Sequence, residues 1–349
     1  MIKKFKLAVL FCLLLLLVCV YLWKGSLLVC AYVAIVTILL VVFAKYSFLF
    51  VNKLIRNTNW YKNQFIDTDK FVTNVKYRTN ITRNYDVVNL GSNPGKFAFA
   101  YENSGLIGAN WAVSPQSLSY DFRIIKNYFS YIRDGGVIIL TMTPFGFCLK
   151  DYADDKLNMK YYLLLDYTLI INYSYRKHIR IAYPLLSSPI EAIKRLIKDV
   201  PADNRLSLTT NPMSPEEIEE DAAKWINGWK QQFSISELDA PVSEQNRDCI
   251  AYNTNLLAEM ISFCLERNLK PVLVLPPTTK ALSSKLSESF RESYIYSIIR
   301  NANTHQVPFL NYLVDARFSD NELFFNSFFL NVKGRKVFTQ TVLSDLKIV

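Results

Sequence analysis

Two apolar runs open the chain. Residues 7–23 and 27–44 carry almost no charge over about 18 positions each, near the shortest helix that crosses a hydrocarbon core of about 30 Å. Lys24, Gly25 and Ser26 predict a turn between them, because one apolar helix of ~40 residues would be twice the bilayer thickness and would hold Lys24 at mid-depth. Residues 1–52 are therefore expected to form a two-helix transmembrane hairpin, followed by a linker at 53–84 and a soluble domain at 85–349. A cleaved signal peptide fits less well, since the run is long and no small-x-small site follows. Leu16-Leu17-Val18-Cys19 has the outline of a lipoprotein box, but Val18 is bulky where such boxes carry a small residue.

Beyond residue 85 the pattern changes to short apolar strands alternating with amphipathic helices. Residues 86–90 (DVVNL) predict a strand that runs into Gly91-Ser92-Asn93-Pro94-Gly95, a loop rich in turn formers. Residues 117–133 place Leu118, Phe122, Ile125, Phe129 and Ile132 on one helical face, and Asp134-Gly135-Gly136 is expected to stop that helix. A buried strand at 137–142 follows. The alternation resumes with a helix at 250–267, a strand at 271–275, a helix at 284–300, a strand at 307–312 and a terminal helix at 332–346. Such an order predicts an α/β domain with a largely parallel sheet and right-handed crossovers.

Between residues 143 and 248 the alternation breaks, which predicts an insertion of about 100 residues. It holds a tyrosine-rich stretch (Tyr161, Tyr162, Tyr167, Tyr173, Tyr175), a basic amphipathic helix at 190–198 and an acidic helix with Trp225 and Trp229. Lys194, Arg195 and Lys198 flank Ile193, Leu196 and Ile197, so the basic helix suits either a membrane surface or a packing face on the domain.

Charge adds an orientation. The 349 residues carry a net charge of +10, but Lys and Arg are spread along the chain and no five basic residues run together. That distribution suits an anionic membrane face and argues against nucleic acid as a partner. Lys3, Lys4 and Lys6 precede the hairpin and Lys45, Lys53, Arg56 and Lys62 follow it, against Lys24 alone at the tip. The positive-inside rule then places a multi-pass anchor in the plasma membrane with both ends, and the soluble domain, in the cytoplasm. If only one segment spans, the domain moves outside. Cys12, Cys19 and Cys30 lie in the apolar runs, while Cys148, Cys249 and Cys264 are scattered without CxxC or Cys/His spacing. Neither a disulfide framework nor a metal site is expected from them, and no cofactor motif occurs.

In open α/β sheets, function gathers beyond the carboxyl ends of the strands, here the loops at 91–95, 143–147, 276–280 and 313–331. A serine in a tight turn after the first strand can present its hydroxyl, and neighbouring N–H groups, to a substrate. Gly91, Pro94 and Gly95 also have a purely structural reading as turn formers, Asn110 as a cap entering the next helix, and Asp121 as a solvated residue.

Three blocks carry a likeness: Asn89-Leu90-Gly91-Ser92, then the stretch from Gly108-Ala109-Asn110-Trp111-Ala112 to Asp121-Phe122, then Leu330-Asn331-Val332-Lys333-Gly334 at the start of the terminal helix. In these the chain resembles the SGNH (GDSL-like) hydrolase superfamily, in particular membrane-anchored bacterial members found with cell-surface polysaccharide assembly. The resemblance covers residues 85–346 and implies a three-layer α/β sandwich, SGNH or flavodoxin-like. It further implies Ser92 at the nucleophile position, with oxyanion donors from its own N–H and from Gly108 and Asn110. The family often carries its asparagine in a Gly-x-Asn-Asp block after a later strand, where this chain has Thr141-Met142-Thr143-Pro144-Phe145.

The family also places Asp-x-x-His before the terminal helix, and at those positions stand Asn326 and Phe329. Phenylalanine cannot accept a proton, and losing a triad member costs about 10⁴ to 10⁶ in turnover. The two histidines are His178, in the insertion, and His305, at the entry of the 307–312 strand and roughly 20 Å from its carboxyl end. Asp315, Asp320 and Glu322 lie in the right loop, but exposed carboxylates are poor bases for a serine hydroxyl. The expectation is a catalytically degenerate protein that binds an acyl or glycosyl substrate or scaffolds membrane proteins of polysaccharide assembly. The alternative is a working serine esterase or O-acyltransferase on surface glycans with a rearranged base.

Overall fold

The computed structural model describes residues 18, 20–22, 27–65, 84–102, 104–151, 158–201 and 213–348. In chain order these include helix α1 (Leu27–Arg56), strand β1 (Tyr85–Leu90), helix α2 (Asn93–Ala98), β2 (Gly108–Asn110), α3 (Leu118–Tyr128), β3 (Ile132–Thr141), α4 (Pro189–Ile197), α5 (Pro215–Gln232), α6 (Glu244–Leu265), β4 (Lys270–Leu275), β5 (Phe309–Asn311) and α7 (Val332–Asp345), with further short helices and turns between them.

The second apolar run is one helix. Its stretch Ala31–Arg56 contains an 18-residue window with a mean hydropathy of 2.4 and is the one helix among the described residues long and apolar enough to cross a membrane. At 1.5 Å per residue α1 extends about 45 Å, more than a hydrocarbon core needs. Most of the first run of the expected hairpin, including Cys12 and Cys19, lies outside the described residues, as do the turn at 24–26 and much of the linker.

By contacts the chain divides into two compact units, Met1–Thr58 with Tyr183–Val200, and Asn59–Ala182 with Pro201–Val349. In the first unit the segment after Tyr183 packs on the last turns of α1. The Leu185 N–H donates to Asn52 Oδ1 at 3.1 Å, and the Phe48 and Tyr183 rings stand 5.5 Å apart. Residues 183–200 of the expected insertion thus group with α1.

The second unit is built on a five-stranded, wholly parallel sheet in the order β2-β1-β3-β4-β5, flanked by helices. Side chains alternate across a strand, and here both faces are covered, which is why the strands read as unbroken apolar runs. Val88, Leu90, Ile138, Leu140, Leu273 and Leu275 enter one core with Phe122 and Ile125 of α3 and Leu257 and Ile261 of α6. Val87, Ile139, Val272 and Val274 enter the other with Phe338 and Val342 of α7.

Three elements depart from the sequence expectation. β2 is three residues, GAN, too short to leave a periodic signal. The helix expected at 117–133 ends at Tyr128, because Asp134-Gly135-Gly136 lies within β3, where Gly135 takes φ +68° and the pairing with β1 shifts register. The helix expected at 284–300 is interrupted by a π turn, Glu292–Tyr296.

The strand order carries a consequence for function. After β1 the chain moves to the edge strand β2, then returns to the other side of β1 as β3. Connections that leave two neighbouring strands in opposite directions open a crevice beyond their carboxyl ends. Loops 91–95 and 143–147 border that crevice.

Candidate functional site

Ser92 stands two residues beyond β1 and opens α2. Gly91 before it takes φ +124°, and a Cβ there would lie 2.9 Å from the Thr141 Cβ, so only glycine fits this turn. The Gly91 N–H donates to Asp121 Oδ1 at 2.8 Å, and its carbonyl accepts from the Val113 N–H at 3.2 Å. Ser92 Oγ accepts the Gln116 N–H at 3.0 Å. The Gln116 side chain in turn donates to Asp121 Oδ1 and accepts the Tyr161 hydroxyl at 3.3 Å.

Above this network lies a cavity of about 150 Å³, lined by Ser92, residues 115–117 after β2, residues 143–146 after β3, Phe328 and Phe329 ahead of α7, and one face of α5. Trp225 and Trp229 are four residues apart and so share that face. Their rings meet Phe329 at 5.4 Å and Phe145 at 4.6 Å, respectively, and Phe329 stacks on Phe97 at 4.9 Å. Phe329 is 7% exposed and shares the cavity with Ser92. Asn326 does not line it. Its Oδ1 accepts the N–H groups of Phe328 and Phe329 at 3.0 and 2.7 Å, shaping the turn that presents the two rings. Between them, the Ser327 N–H donates to Asp221 of α5 at 3.0 Å, tying this loop to the tryptophan helix.

Both histidines are placed elsewhere. His178 Nδ1 pairs with the Tyr173 hydroxyl and His305 Nε2 with the Ser262 hydroxyl, each at 3.1 Å. Asp315 caps a short turn and pairs with Arg317 at 2.7 Å, Asp320 caps the next turn, and Glu322 pairs with Lys333 at 3.3 Å. Burial pushes the Cys148 and Cys264 thiols up to about 12, which leaves them unreactive at neutral pH. Among the described residues no three His, Cys, Asp or Glu side chains cluster closely enough to hold a metal ion.

The geometry corrects the two oxyanion candidates. The Asn110 amide nitrogen donates to the carbonyls of Gly95, Lys96 and Phe99 at 3.3, 3.1 and 3.1 Å, and Oδ1 accepts from Asn89 Nδ2 at 2.9 Å and the Ala112 N–H at 3.1 Å. Two amide hydrogens shared among three carbonyls leave none for a substrate oxygen. Asn110 is a buried brace that holds the α2 turn against β1 and β2. Gly108 pairs with Val87, away from the carboxyl edge, and a Cβ there would fall 2.3 Å from the Tyr101 ring. Close packing against that ring accounts for the glycine.

Asp121 is corrected as well, since it is 5% exposed and not solvated. Burial pushes its carboxyl up to about 7, opposed by the hydrogen bonds from Gln116 and Gly91. It borders a smaller cavity of about 40 Å³ that Ser92 and Gln116 also line, and among the described residues it is the one ionisable side chain lining either cavity. An acid whose folded pKa is raised binds its proton more tightly when folded. Its contribution to stability is fully present below the ordinary carboxylate pKa and is lost as pH rises through about 7. Urea unfolding should therefore show a decline between pH 4 and 7.5 that is shallower in Asp121→Asn, with an upper bound on the difference of about 4 kcal/mol at 1.36 kcal/mol per pKa unit. Equal slopes would refute the assignment.

Sequence reasoning missed Gln116, Phe145, the site role of Trp225 and Trp229, and the burial of Asp121. The tryptophan spacing was a usable signal, and so was a lone carboxylate between Tyr120 and Phe122. Compared with known proteins, the chain matches no family model, no curated protein and no solved structure.

Proposed function

We propose that this chain is a membrane-anchored protein of the SGNH type, a three-layer sandwich on a transmembrane hairpin. In this reading its serine-bearing crevice holds an acyl- or glycosyl-bearing ligand of cell-envelope polysaccharide assembly without turning it over. One observation carries the reading: Phe329 lines the same cavity as Ser92, and both histidines bond elsewhere. A serine hydroxyl without a base stays protonated at neutral pH and serves as a hydrogen-bonding group. The cavity of about 150 Å³ is smaller than drug-sized sites, which suits a small terminal group such as an acetyl or one sugar edge. Tryptophan and phenylalanine faces supply apolar contact for it. The plasma-membrane site with a cytoplasmic domain belongs to the same proposal.

Purified protein titrated with O-acetylated saccharides should show saturable quenching of tryptophan emission, with the ligand recovered intact. The quenching should fall sharply in the double variant Trp225→Phe and Trp229→Phe. Ligand hydrolysis, or quenching indifferent to these two residues, would reject the reading.

A second reading is favoured by Asp121. A buried carboxyl with a pKa pushed up to about 7, sharing a small cavity with Ser92, can take up a proton near neutral pH. In that case Ser92 is the nucleophile of an acyl esterase or O-acyltransferase with Asp121 as its base. A fluorophosphonate probe then labels the unaltered protein but neither Ser92→Ala nor Asp121→Asn. Absence of labelling in the unaltered protein removes this reading.

A further inference from the structure

The segment that packs on the end of α1 carries an apolar stripe with no cover among the described residues. Leu186, Ile190, Ile193 and Ile197 are 55%, 84%, 48% and 83% exposed. Ile190, Ile193 and Ile197, three and four residues apart, share one side of α4, and Leu186 lies on the separate short helical turn Pro184–Ser187 just before it. Ala192, on the opposite side of α4, is fully buried. Lys194 and Lys198 border the stripe with exposed side chains, while Arg195 is taken by Glu191 at 2.6 Å. Asp199 is the other acidic residue of the segment.

The position along α1 identifies what faces the stripe. The uncharged part of α1, residues 27–44, is about 27 Å long at 1.5 Å per residue, enough for most of a hydrocarbon core. The contacts with residues 183–185 fall at Phe48 and Asn52, roughly 6 to 12 Å past Ala44 along the helix. The headgroup zone adds roughly 5 to 8 Å on each side of the core. A stripe of isoleucines anchored at that level, edged by lysines, matches an interfacial helix in composition and depth.

We propose that residues 184–198 are a lipid-binding segment seated at headgroup level beside α1, with Leu186, Ile190, Ile193 and Ile197 facing the bilayer and Lys194 and Lys198 toward anionic headgroups. The proposal rests on α1 spanning the membrane.

The full chain in nanodiscs of phosphatidylcholine with phosphatidylglycerol tests both parts separately. Incorporation that resists alkaline carbonate reports α1. A nitroxide at Ile190→Cys reports the stripe through its relative collisions with oxygen and a water-soluble nickel chelate, after subtraction of labelled unsubstituted chain. The oxygen-to-nickel ratio should be several-fold higher than at the exposed α5 position Lys224→Cys, and should fall when Lys194 and Lys198 are both changed to Glu. Equal ratios at the two sites in firmly incorporated protein overturn the lipid-binding segment alone. Extraction of the chain by carbonate overturns the anchor and the segment together.

Discussion

Changing Asn326→Asp and Phe329→His together should raise hydrolysis of a small acetyl ester by about 10² to 10⁴ over the unaltered protein. The turn on Gly91 already aims Ser92 into the cavity, and Phe329 lines the same cavity. An imidazole at 329 would replace a ring stacked on Phe97 and edge-on to Trp225 with one able to accept a proton. An aspartate at 326 keeps the acceptor for the N–H groups of Phe328 and Phe329 and adds a second oxygen to orient the imidazole. Phe329→His alone should give a smaller gain, because an unoriented imidazole spends much of its time in the wrong tautomer. Release of p-nitrophenol from its acetate, with Ser92→Ala of the double variant as background, measures the effect. A double variant that folds yet stays at background would refute the degenerate-site reading. So would hydrolysis by the unaltered chain that disappears in Ser92→Ala.

Asn110→Ala should lower stability by about 3 to 4 kcal/mol, seen as a drop in the urea midpoint at unchanged slope. The side chain is 1% exposed and satisfies three carbonyls, one N–H and the Asn89 amide. Truncation removes all five of these hydrogen bonds from a buried site, while the Gly95 carbonyl keeps the Asn89 amide, and the Phe99 carbonyl keeps Arg335, as a second partner. Asn110→Asp should be no better, since it keeps the acceptor but turns a donor into a buried charge facing carbonyls. A variant that kept its stability and lost only ligand affinity would return Asn110 to the binding site.

The strands and most helices were legible because burial on both faces of the sheet writes continuous apolar runs, and amphipathic helices write a 3.6 period. β2 was not, because its three residues carry backbone pairing without a pattern. Asp134-Gly135-Gly136 read as a helix stop, whereas the positive φ of Gly135 serves a strand irregularity. For the candidate site, turn chemistry after the first strand pointed to Ser92, whereas Phe329 was singled out only through the resemblance, by its place ahead of the terminal helix. The roles of Gln116, Asp121 and Asn110 depend on which groups the fold brings within hydrogen-bonding distance. Asn110 illustrates the limit: an asparagine near a catalytic turn looks the same in sequence whether its amide faces a ligand or three carbonyls.

The bond from Ser327 to Asp221 joins residues 106 positions apart, and the cavity wall it fixes combines α5 with the stretch just before α7. Synthesis runs from the amino end, so the serine turn on β1 and the loop after β3 leave the ribosome long before Phe328 and Phe329. Until then the tryptophan face of α5 has no aromatic partners from the chain's last segment. The crevice gains its last wall only when the stretch ahead of the final helix docks, so a chain truncated before residue 326 would display its serine in a wider groove.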